Sequence, residues 1–287
     1  MNQTTMKALA VTELSRRAEL IDRPIPRIAD DQVLIRVHYS GVSIGTEMWN
    51  AHGRRKDYGD VPFVNGYQVT GEIESLGNNV DGFNVGDLVA CFVSGAHAQY
   101  AVGRTEYLHK LADPAIAKTA SLFVPPAVAA NGLNMTGLNC GDAVLIIGQG
   151  LIGQAAAQLC RLRGAHVLAS DIQPDRLELS RQYCADDVID ARSAPTCEQL
   201  KQRDIGRIDM VIESTGFEPL IDEAMQCCSP GSKLMFLGFA PDKPAFTYAV
   251  PHTKQIQAYF PCFIGSHASR QGVFRLLAAG KLDIDPL

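Results

Sequence analysis

Residues 143–171 read AVLIIGQGLIGQAAAQLCRLRGAHVLASD, and this stretch decides the fold of the second half of the chain. The apolar run 143–147 leads directly into a G-x-G-x-x-G pattern formed by three glycines: Gly148, Gly150 and Gly153. An alanine-rich segment of helical character follows, so the pattern lies between a strand and a helix. In that context the glycines allow a tight turn, a close approach of the backbone to a diphosphate and close packing of helix on strand. The sequence therefore predicts a dinucleotide site, with the diphosphate on the first helical turn that begins at Leu151 and Ile152.

Asp171 ends the second apolar run of this stretch, 21 residues after Gly150. A carboxylate at this position accepts hydrogen bonds from the adenosine ribose hydroxyls and repels a 2′-phosphate, which favours NAD over NADP. The alternative is a glycine-rich turn in a flavodoxin-like domain that binds no nucleotide, or binds another ligand. Motif, strand–helix context and acidic residue agree on the dinucleotide interpretation.

Strand-like and helix-like segments alternate along the chain from residue 142 onward. The predicted strands are 143–147, 166–170, 187–190, 208–213, 233–237 and 257–264. The predicted helices are 151–163, 174–184, 217–228 and 268–280. This alternation predicts the α/β class, with a doubly wound parallel sheet of the Rossmann type covered by helices on both faces.

The first part of the chain has a different pattern. Residues 6–112 alternate short apolar runs with Gly, Asn and Asp residues that favour tight turns, which predicts a mostly β domain. Asp113 and Pro114 then predict the start of a helix. Pro125 and Pro126 predict an interruption of the helical pattern that follows.

Composition excludes several classes of protein. The 287 residues are 46% hydrophobic and 20% charged, with a net charge of −5 and no basic run, so we expect no nucleic-acid or anionic-membrane partner. No apolar run approaches the roughly 20 residues that span a bilayer, and the N-terminal residues do not resemble a signal peptide. The eight cysteines form no C-x-x-C pair, so we expect reduced, mostly buried thiols and a cytoplasmic location.

The order of these two halves resembles the medium-chain dehydrogenase/reductase superfamily of zinc alcohol dehydrogenase-like proteins. The similar segments are SGVSIGTE (40–47), VNGYQVTGEIESLG (64–77), GDLVACF (86–92), the Gly148 motif, ESTG (213–216) and GSKLMFLGF (231–239). The resemblance implies a GroES-like first domain over residues 1–122, a nucleotide domain over 123–268, and a segment 269–287 that begins the return to the first domain. It also implies that the nicotinamide and the substrate occupy the cleft between domains, and it adds Ser214, Thr215 and Gly238 to the cofactor-binding set.

Zinc-containing members of this superfamily bind catalytic zinc through three positions that this chain has changed. The cysteine position falls on Ser43 or Ile44, the GHE turn has become Gly66-Tyr67-Gln68, and the third position aligns approximately with Pro125. The four-cysteine structural zinc lobe is missing as well. Because tetrahedral zinc needs several such donors, we expect no metal.

Without zinc, the resemblance leaves four candidate catalytic residues. Thr46 aligns with the hydroxyl residue that starts the family's proton relay, or it satisfies its own turn. Tyr67 either donates a hydrogen bond or a proton to the substrate, or it fills the vacated zinc space. Gln68 either contacts the substrate or pairs with backbone. His52 either ends the relay at solvent or lies in an exposed loop, and the neighbouring Glu47 is expected to hold this turn or a neighbouring loop.

The expected activity is hydride transfer between NAD and an alcohol/carbonyl pair. Within the superfamily, the closest resemblance is to the bacteriochlorophyllide a dehydrogenases, which oxidise a hydroxyethyl side chain of a tetrapyrrole with NAD. The alternatives are a zinc-free quinone or enone reductase, and a catalytically silent dinucleotide-binding protein. The apolar segment 256–266 is the last strand candidate, and an exposed edge strand favours pairing, so we expect a homodimer joined through it.

Overall fold

The computed structural model describes residues 4–55, 59–203, 205–240 and 243–286. The chain divides into two compact units. Unit 1 contains Met1–Val124 with Phe274–Ala278, and unit 2 contains Pro125–Val273 with Ala279–Leu287. The finer division into 1–122, 123–268 and 269–287 stays a prediction.

Unit 1 is mostly β structure. In chain order its elements are β1 (Thr5–Val11), β2 (Glu19–Pro24), β3 (Gln32–Ser40), α1 (Ile44–Ala51), β4 (Phe63–Val64), β5 (Gln68–Leu76), β6 (Leu88–Phe92), β7 (Tyr100–Arg104), β8 (Leu108–Lys110) and α2 (Ala117–Ala120). Short 3₁₀ turns occupy Thr105–Tyr107 and Pro114–Ile116. Asp113 caps the second turn by accepting the Ala115 N–H at 2.9 Å, as the sequence predicted.

The strands of unit 1 form two antiparallel sheets, in the orders β2-β1-β4 and β7-β3-β5-β6-β8. In β1 the side chains alternate between solvent and interior, because successive residues of a strand point to opposite faces. The inner faces of the larger sheet build one apolar core from Val33, Ile35, Val69, Ile73, Val89, Cys91, Val93, Ala96, Ala101 and Leu108. Val69 and Ile73 of this core belong to β5, the strand that directly follows the candidate residue Tyr67.

Unit 2 alternates helices and parallel strands. Its elements are α3 (Val124–Thr136), β9 (Ala143–Ile147), α4 (Leu151–Leu162), β10 (His166–Asp171), α5 (Pro174–Tyr183), β11 (Asp187–Asp190), α6 (Thr196–Lys201), β12 (Met210–Glu213), α7 (Leu220–Cys227), β13 (Lys233–Phe236), α8 (Ala249–Lys254), β14 (Gln257–Tyr259) and α9 (His267–Ala278). The first residue of α3, Val124, and the last part of α9, Phe274–Ala278, are counted with unit 1. The six strands pair in the order β11-β10-β9-β12-β13-β14, all parallel. This is the doubly wound order in which the chain reverses direction at β9, so the predicted fold class is confirmed.

Two local predictions were wrong. The strand expected over 257–264 ends at Tyr259, because Pro261 has no N–H to donate to a sheet. Pro125 and Pro126 do not interrupt a helix but lie in the first turn of α3, where a missing N–H has no helical partner to lose. The sequence interpretation also missed three short helices: α1, α6 and α8.

Six of the eight cysteines are buried, and Cys140 and Cys262 are exposed. The structure holds all eight as free cysteines, and the expectation that they are mostly buried is confirmed. Burial raises the pKa of the thiols of Cys160 and Cys184 to about 12, so neither is a reactive thiolate at neutral pH. Within the described ranges, no helix combines the length and apolarity that crossing a bilayer requires.

Candidate active site

The glycine turn of unit 2 has the geometry that the sequence predicted. Gly148 directly follows β9, and Gly150 is the residue immediately before α4. A Cβ on Gly153 would lie 2.0 Å from the carbonyl oxygen of Gly148, so only glycine allows this approach of helix to strand. Leu151 and Ile152 form the first helical turn and are partly exposed.

Asp171 lies at the carboxyl end of β10, next to the glycine turn. Its Oδ2 accepts the Gln149 N–H at 2.6 Å, and its Oδ1 accepts the Gln173 N–H at 2.8 Å. A guanidinium nitrogen of Arg176 lies 3.6 Å from Oδ2. These contacts hold the carboxylate in one orientation. The side chain of Asp171 is 5% exposed.

Glu213 organises the third segment of this site, at the end of β12. Its Oε1 accepts hydrogen bonds from the N–H and the hydroxyl of Thr215, and its backbone oxygen accepts the Gly238 N–H at 3.0 Å. The hydroxyl of Ser214 donates to the carbonyl oxygen of Gly148 at 2.8 Å. Burial raises the pKa of Glu213, and the hydrogen bonds from Thr215 and Gly216 oppose that shift.

These segments meet at the carboxyl edge of the parallel sheet, where such sheets bind ligands. Helix α4 has no side-chain cap, so the N–H groups of its first turn remain available to an anion. Among the described residues, no atom lies within 4 Å of the position that a Cβ on Gly150 would take. Open space, uncapped N–H groups and the carboxylate of Asp171 fit a dinucleotide.

Tyr67 and Thr46 come together in unit 1. The side chains of Ser43 and Thr46, which flank the start of α1, interact with the phenol of Tyr67 and lower its pKa, against the larger effect of burial. The ring of Tyr67 also packs against Phe92, with ring centroids 6.0 Å apart. Burial raises the pKa of Tyr67, so the phenol keeps its proton at neutral pH and can donate a hydrogen bond.

The structure separates the other two candidates from this group. Gln68 is fully buried, and its Oε1 accepts the Val124 N–H at 2.9 Å, which is the backbone pairing weighed as its alternative role. Its Nε2 has no hydrogen-bond partner among the described residues. His52 is exposed, and its Nδ1 lies 2.8 Å from the carbonyl oxygen of Met48 in its own helix.

The side chains at the former zinc positions do not form a zinc site. Ser43, Ile44, Tyr67 and Gln68 offer hydroxyl, alkyl, phenol and amide groups, whereas zinc in proteins takes thiolate, imidazole and carboxylate. Within the described parts of the chain, no three His, Cys, Asp or Glu side chains are grouped so that they could hold a metal ion.

Two residues of these sites escaped the sequence interpretation. Glu213 directly precedes Ser214, so the ESTG segment contained a signal for it. His97 contacts Glu47, 50 positions earlier in the chain, and no local motif joins them. Glu47 was expected to hold its turn or a neighbouring loop, and its carboxylate does both through the Ser43 N–H and His97.

Known proteins share this architecture. Residues 29–113 match the family model of the alcohol dehydrogenase GroES-like domain, and residues 152–279 match that of the zinc-binding dehydrogenases. Sorbitol dehydrogenase of Bacillus subtilis (strain 168) is 26% identical over 94% of this chain and 82% of its own length.

Solved structures agree on the fold. A zinc-binding dehydrogenase from Sinorhizobium meliloti 1021 bound to NADP has a TM-score of 0.88 and 21% identity, covering 99% of this chain and 91% of its own. An alcohol dehydrogenase from Escherichia coli CFT073 complexed with NADH has a TM-score of 0.86 and 20% identity, covering 98% and 90%.

The two family models and the full-length relatives place the chain in one superfamily. It belongs to the medium-chain dehydrogenases/reductases, in their zinc alcohol dehydrogenase-like division. Its relatives support an oxidoreductase that acts on alcohol groups.

Proposed function

We propose that this protein is an NAD(H)-dependent oxidoreductase that interconverts an alcohol and a carbonyl compound without catalytic zinc. The observation that carries the proposal is the grouping of the Tyr67 phenol with the hydroxyl side chains of Thr46 and Ser43, at the turn where the relatives' zinc ligands are expected. It supplies polar hydrogens to a substrate oxygen from side chains alone.

The chemistry divides between the cofactor and these hydroxyl groups. Bound NAD would supply the hydride acceptor, and NADH the hydride donor. Tyr67 would donate a hydrogen bond to the substrate oxygen, where negative charge develops as the carbonyl is reduced. Thr46 would orient that phenol and pass a proton to or from it. Because the pKa of Tyr67 is raised, the phenol is protonated at neutral pH; it would give that proton to the substrate oxygen as hydride reaches the carbonyl carbon, and Thr46 would return a proton to it from solvent.

The preference for NAD rests on Asp171. Its fixed carboxylate can accept the ribose hydroxyls and repels a 2′-phosphate. Arg176, 3.6 Å away, offsets part of that repulsion, because a nearby arginine is the group that accommodates the 2′-phosphate in NADP enzymes. We therefore propose a preference for NAD and not an absolute exclusion of NADP.

The absence of catalytic zinc is part of the proposal and rests on the donor chemistry at the former ligand positions. Purified protein should contain well under about one zinc per chain, and a chelator should leave any activity and the unfolding temperature unchanged. Stoichiometric zinc that resists removal and is lost in Tyr67→Phe would overturn the assignment of the phenol.

The decisive experiment is an assay of NADH formation with a panel of alcohols, and of NADH consumption with the matching carbonyl compounds. The panel should contain aliphatic alcohols and a polyol such as sorbitol. It should also contain a hydroxyethyl-substituted tetrapyrrole, because of the resemblance to bacteriochlorophyllide a dehydrogenases. Turnover of one pair that falls in Tyr67→Phe or Thr46→Val supports the proposal.

The same assay separates the alternatives. NADPH consumption with quinones or enones, and none with alcohols, would indicate a zinc-free quinone or enone reductase. Tight dinucleotide binding without turnover of any compound would indicate a silent binding protein. We also propose a cytoplasmic location, because the thiols are free and mostly buried.

A further inference from the structure

His97 contacts three segments that surround the Tyr67 group. Its Nδ1 lies 2.9 Å from the hydroxyl oxygen of Ser40, at the end of β3. Its Nε2 lies 2.7 Å from Oε2 of Glu47 in α1. Its backbone N–H donates to the carbonyl oxygen of Asn65, just before the turn that carries Tyr67, at 3.1 Å. His97 therefore connects a strand and a helix through its imidazole and a turn through its backbone.

The ring of His97 also sets the shape of the turn. A Cβ on Gly66 would lie 2.8 Å from Cε1 and 2.9 Å from Nε2 of the imidazole. Gly66 has a φ of 88°, a conformation that favours glycine. The turn thus lies directly against the imidazole, and Tyr67 is the next residue.

Glu47 transmits the contact from His97 to the hydroxyl group. Its Oε1 accepts the Ser43 N–H at 2.8 Å, and the Ser43 side chain interacts with the Tyr67 phenol and lowers its pKa. The negative charge of Glu47 also contributes to the raised pKa of the phenol. Glu47 therefore affects Tyr67 both through its position and through its negative charge.

The burial of this pair makes the contact energetically important. The side chains of His97 and Glu47 are 8% and 10% exposed. A carboxylate can only accept, so Nε2 carries the hydrogen in this contact, and Nδ1 is left to pair with the Ser40 hydroxyl. Removing the imidazole would leave a nearly buried carboxylate without its main partner, which is costly and forces a rearrangement.

We propose that His97 is a positioning residue for the reaction, acting through Glu47 and Gly66 to hold α1 and the turn that carries Tyr67 in place. This inference rests on the proposed function in assigning catalysis to the Tyr67 group. Both ring nitrogens are engaged within the protein, so His97 acts on the site through its neighbours.

Two substitutions separate the hydrogen bonds of His97 from its shape. His97→Phe keeps an aromatic ring against Gly66 but loses both polar contacts. His97→Gln keeps a donor for Glu47 and an acceptor for Ser40 without the ring. We expect kcat to fall at least about tenfold in His97→Phe and to stay within about threefold in His97→Gln, because positioning errors reduce turnover steeply. The affinity for NAD should stay within about twofold in both, because the nucleotide site lies in unit 2.

A second measurement does not depend on any substrate. The ¹³Cζ resonance of Tyr67, assigned by its loss in Tyr67→Phe, should shift in His97→Phe and in Glu47→Gln and remain near its original position in His97→Gln. If His97→Phe does not fold, Glu47→Gln and Ser40→Ala report on the same contacts. An unchanged Tyr67 resonance together with unchanged kcat in the folded variants would overturn the role of His97. Shifted resonances in a protein that turns over no compound would support the positioning role and contradict the proposed function.

Discussion

The carboxylate of Asp171 accepts a hydrogen bond of 2.6 Å from the backbone N–H of Gln149, the residue between the first two glycines of the turn. The end of β10 is thereby tied to the turn that follows β9, and the carboxylate that would meet the ribose is fixed before any nucleotide arrives. A preorganised acceptor loses little entropy on binding, so the negative charge of Asp171 should strongly affect whether NAD or NADP binds.

We predict that NAD(H) binds at least about tenfold more tightly than NADP(H), or about 1.4 kcal/mol. Asp171→Ser should narrow that gap, and Arg176→Ala should widen it, because the two charges act on a 2′-phosphate in opposite directions. Isothermal titration with both cofactors measures the gap. Asp190→Ser is the matched control, because Asp190 ends the adjacent strand and pairs with Arg192. Equal affinities in the unmodified protein would refute the prediction.

Tyr67→Phe should lower kcat by at least about a hundredfold while NAD affinity stays nearly unchanged, if the phenol stabilises the developing charge. If Tyr67 only fills space, phenylalanine will pack against Phe92 equally well and kcat will change little in Tyr67→Phe. Thr46→Val should then show the decrease in kcat. Tyr39→Phe, at an exposed position of β3, is the control for a lost phenol. A Tyr67→Phe, Thr46→Val double variant with full activity would remove both residues from the mechanism.

Glu213 should make unfolding depend on pH in a defined direction. Its pKa is raised above 4.5, so its contribution to stability is present below about pH 4.5 and is lost as the pH rises through the folded-state pKa. Glu213→Gln cannot ionise, so the stability advantage of the unmodified protein over this variant should shrink between pH 4 and pH 7. Urea unfolding at several pH values measures the difference.

Glu178→Gln is the comparison for that experiment. Hydrogen bonds from Gln182 and Arg181 lower the pKa of Glu178, so its contribution is present above about pH 4.5 and is lost as the pH falls. The two variants should therefore change the pH dependence in opposite directions. An advantage over Glu213→Gln that grows with pH would show that the hydrogen bonds, and not burial, dominate at Glu213.

We predict a homodimer joined through the 256–266 segment. β14 is an edge strand of the parallel sheet, and Phe260 and Phe263 beside it are 70% and 72% exposed. Exposed phenylalanines next to an unpaired edge favour association. Phe263→Glu should give monomers in sedimentation experiments at micromolar concentration, whereas Val85→Glu, at an exposed apolar position in unit 1, should not. A monomeric unmodified protein would contradict this arrangement.

The nucleotide domain could be predicted closely from sequence because its signals are local. A buried strand, a glycine turn and a helix follow one another within residues 143–162, and the folded domain keeps these elements in that order. Short elements were predicted less well. α1 was read as a turn, since eight residues of mixed polarity give a weak periodic signal. The prediction that β14 extends to residue 264 was wrong because it followed the apolar character of the segment and disregarded Pro261.

The sequence by itself determined the fold class, the position of the dinucleotide turn and the loss of the zinc-binding residue types, because each depends on neighbouring residues or on chemical identity. Only the tertiary structure decided which side chains meet. In that structure Tyr67 lies beside Thr46 and Ser43, and the side chain of Gln68 is buried. The ring of His52 contacts the carbonyl oxygen of Met48, and the ring of His97 contacts Glu47. These contacts link residues up to 56 positions apart. Apart from the local contact of His52, they depend on the antiparallel sheet of unit 1, in which β3 pairs with β5 and β7, and no local pattern encodes that pairing.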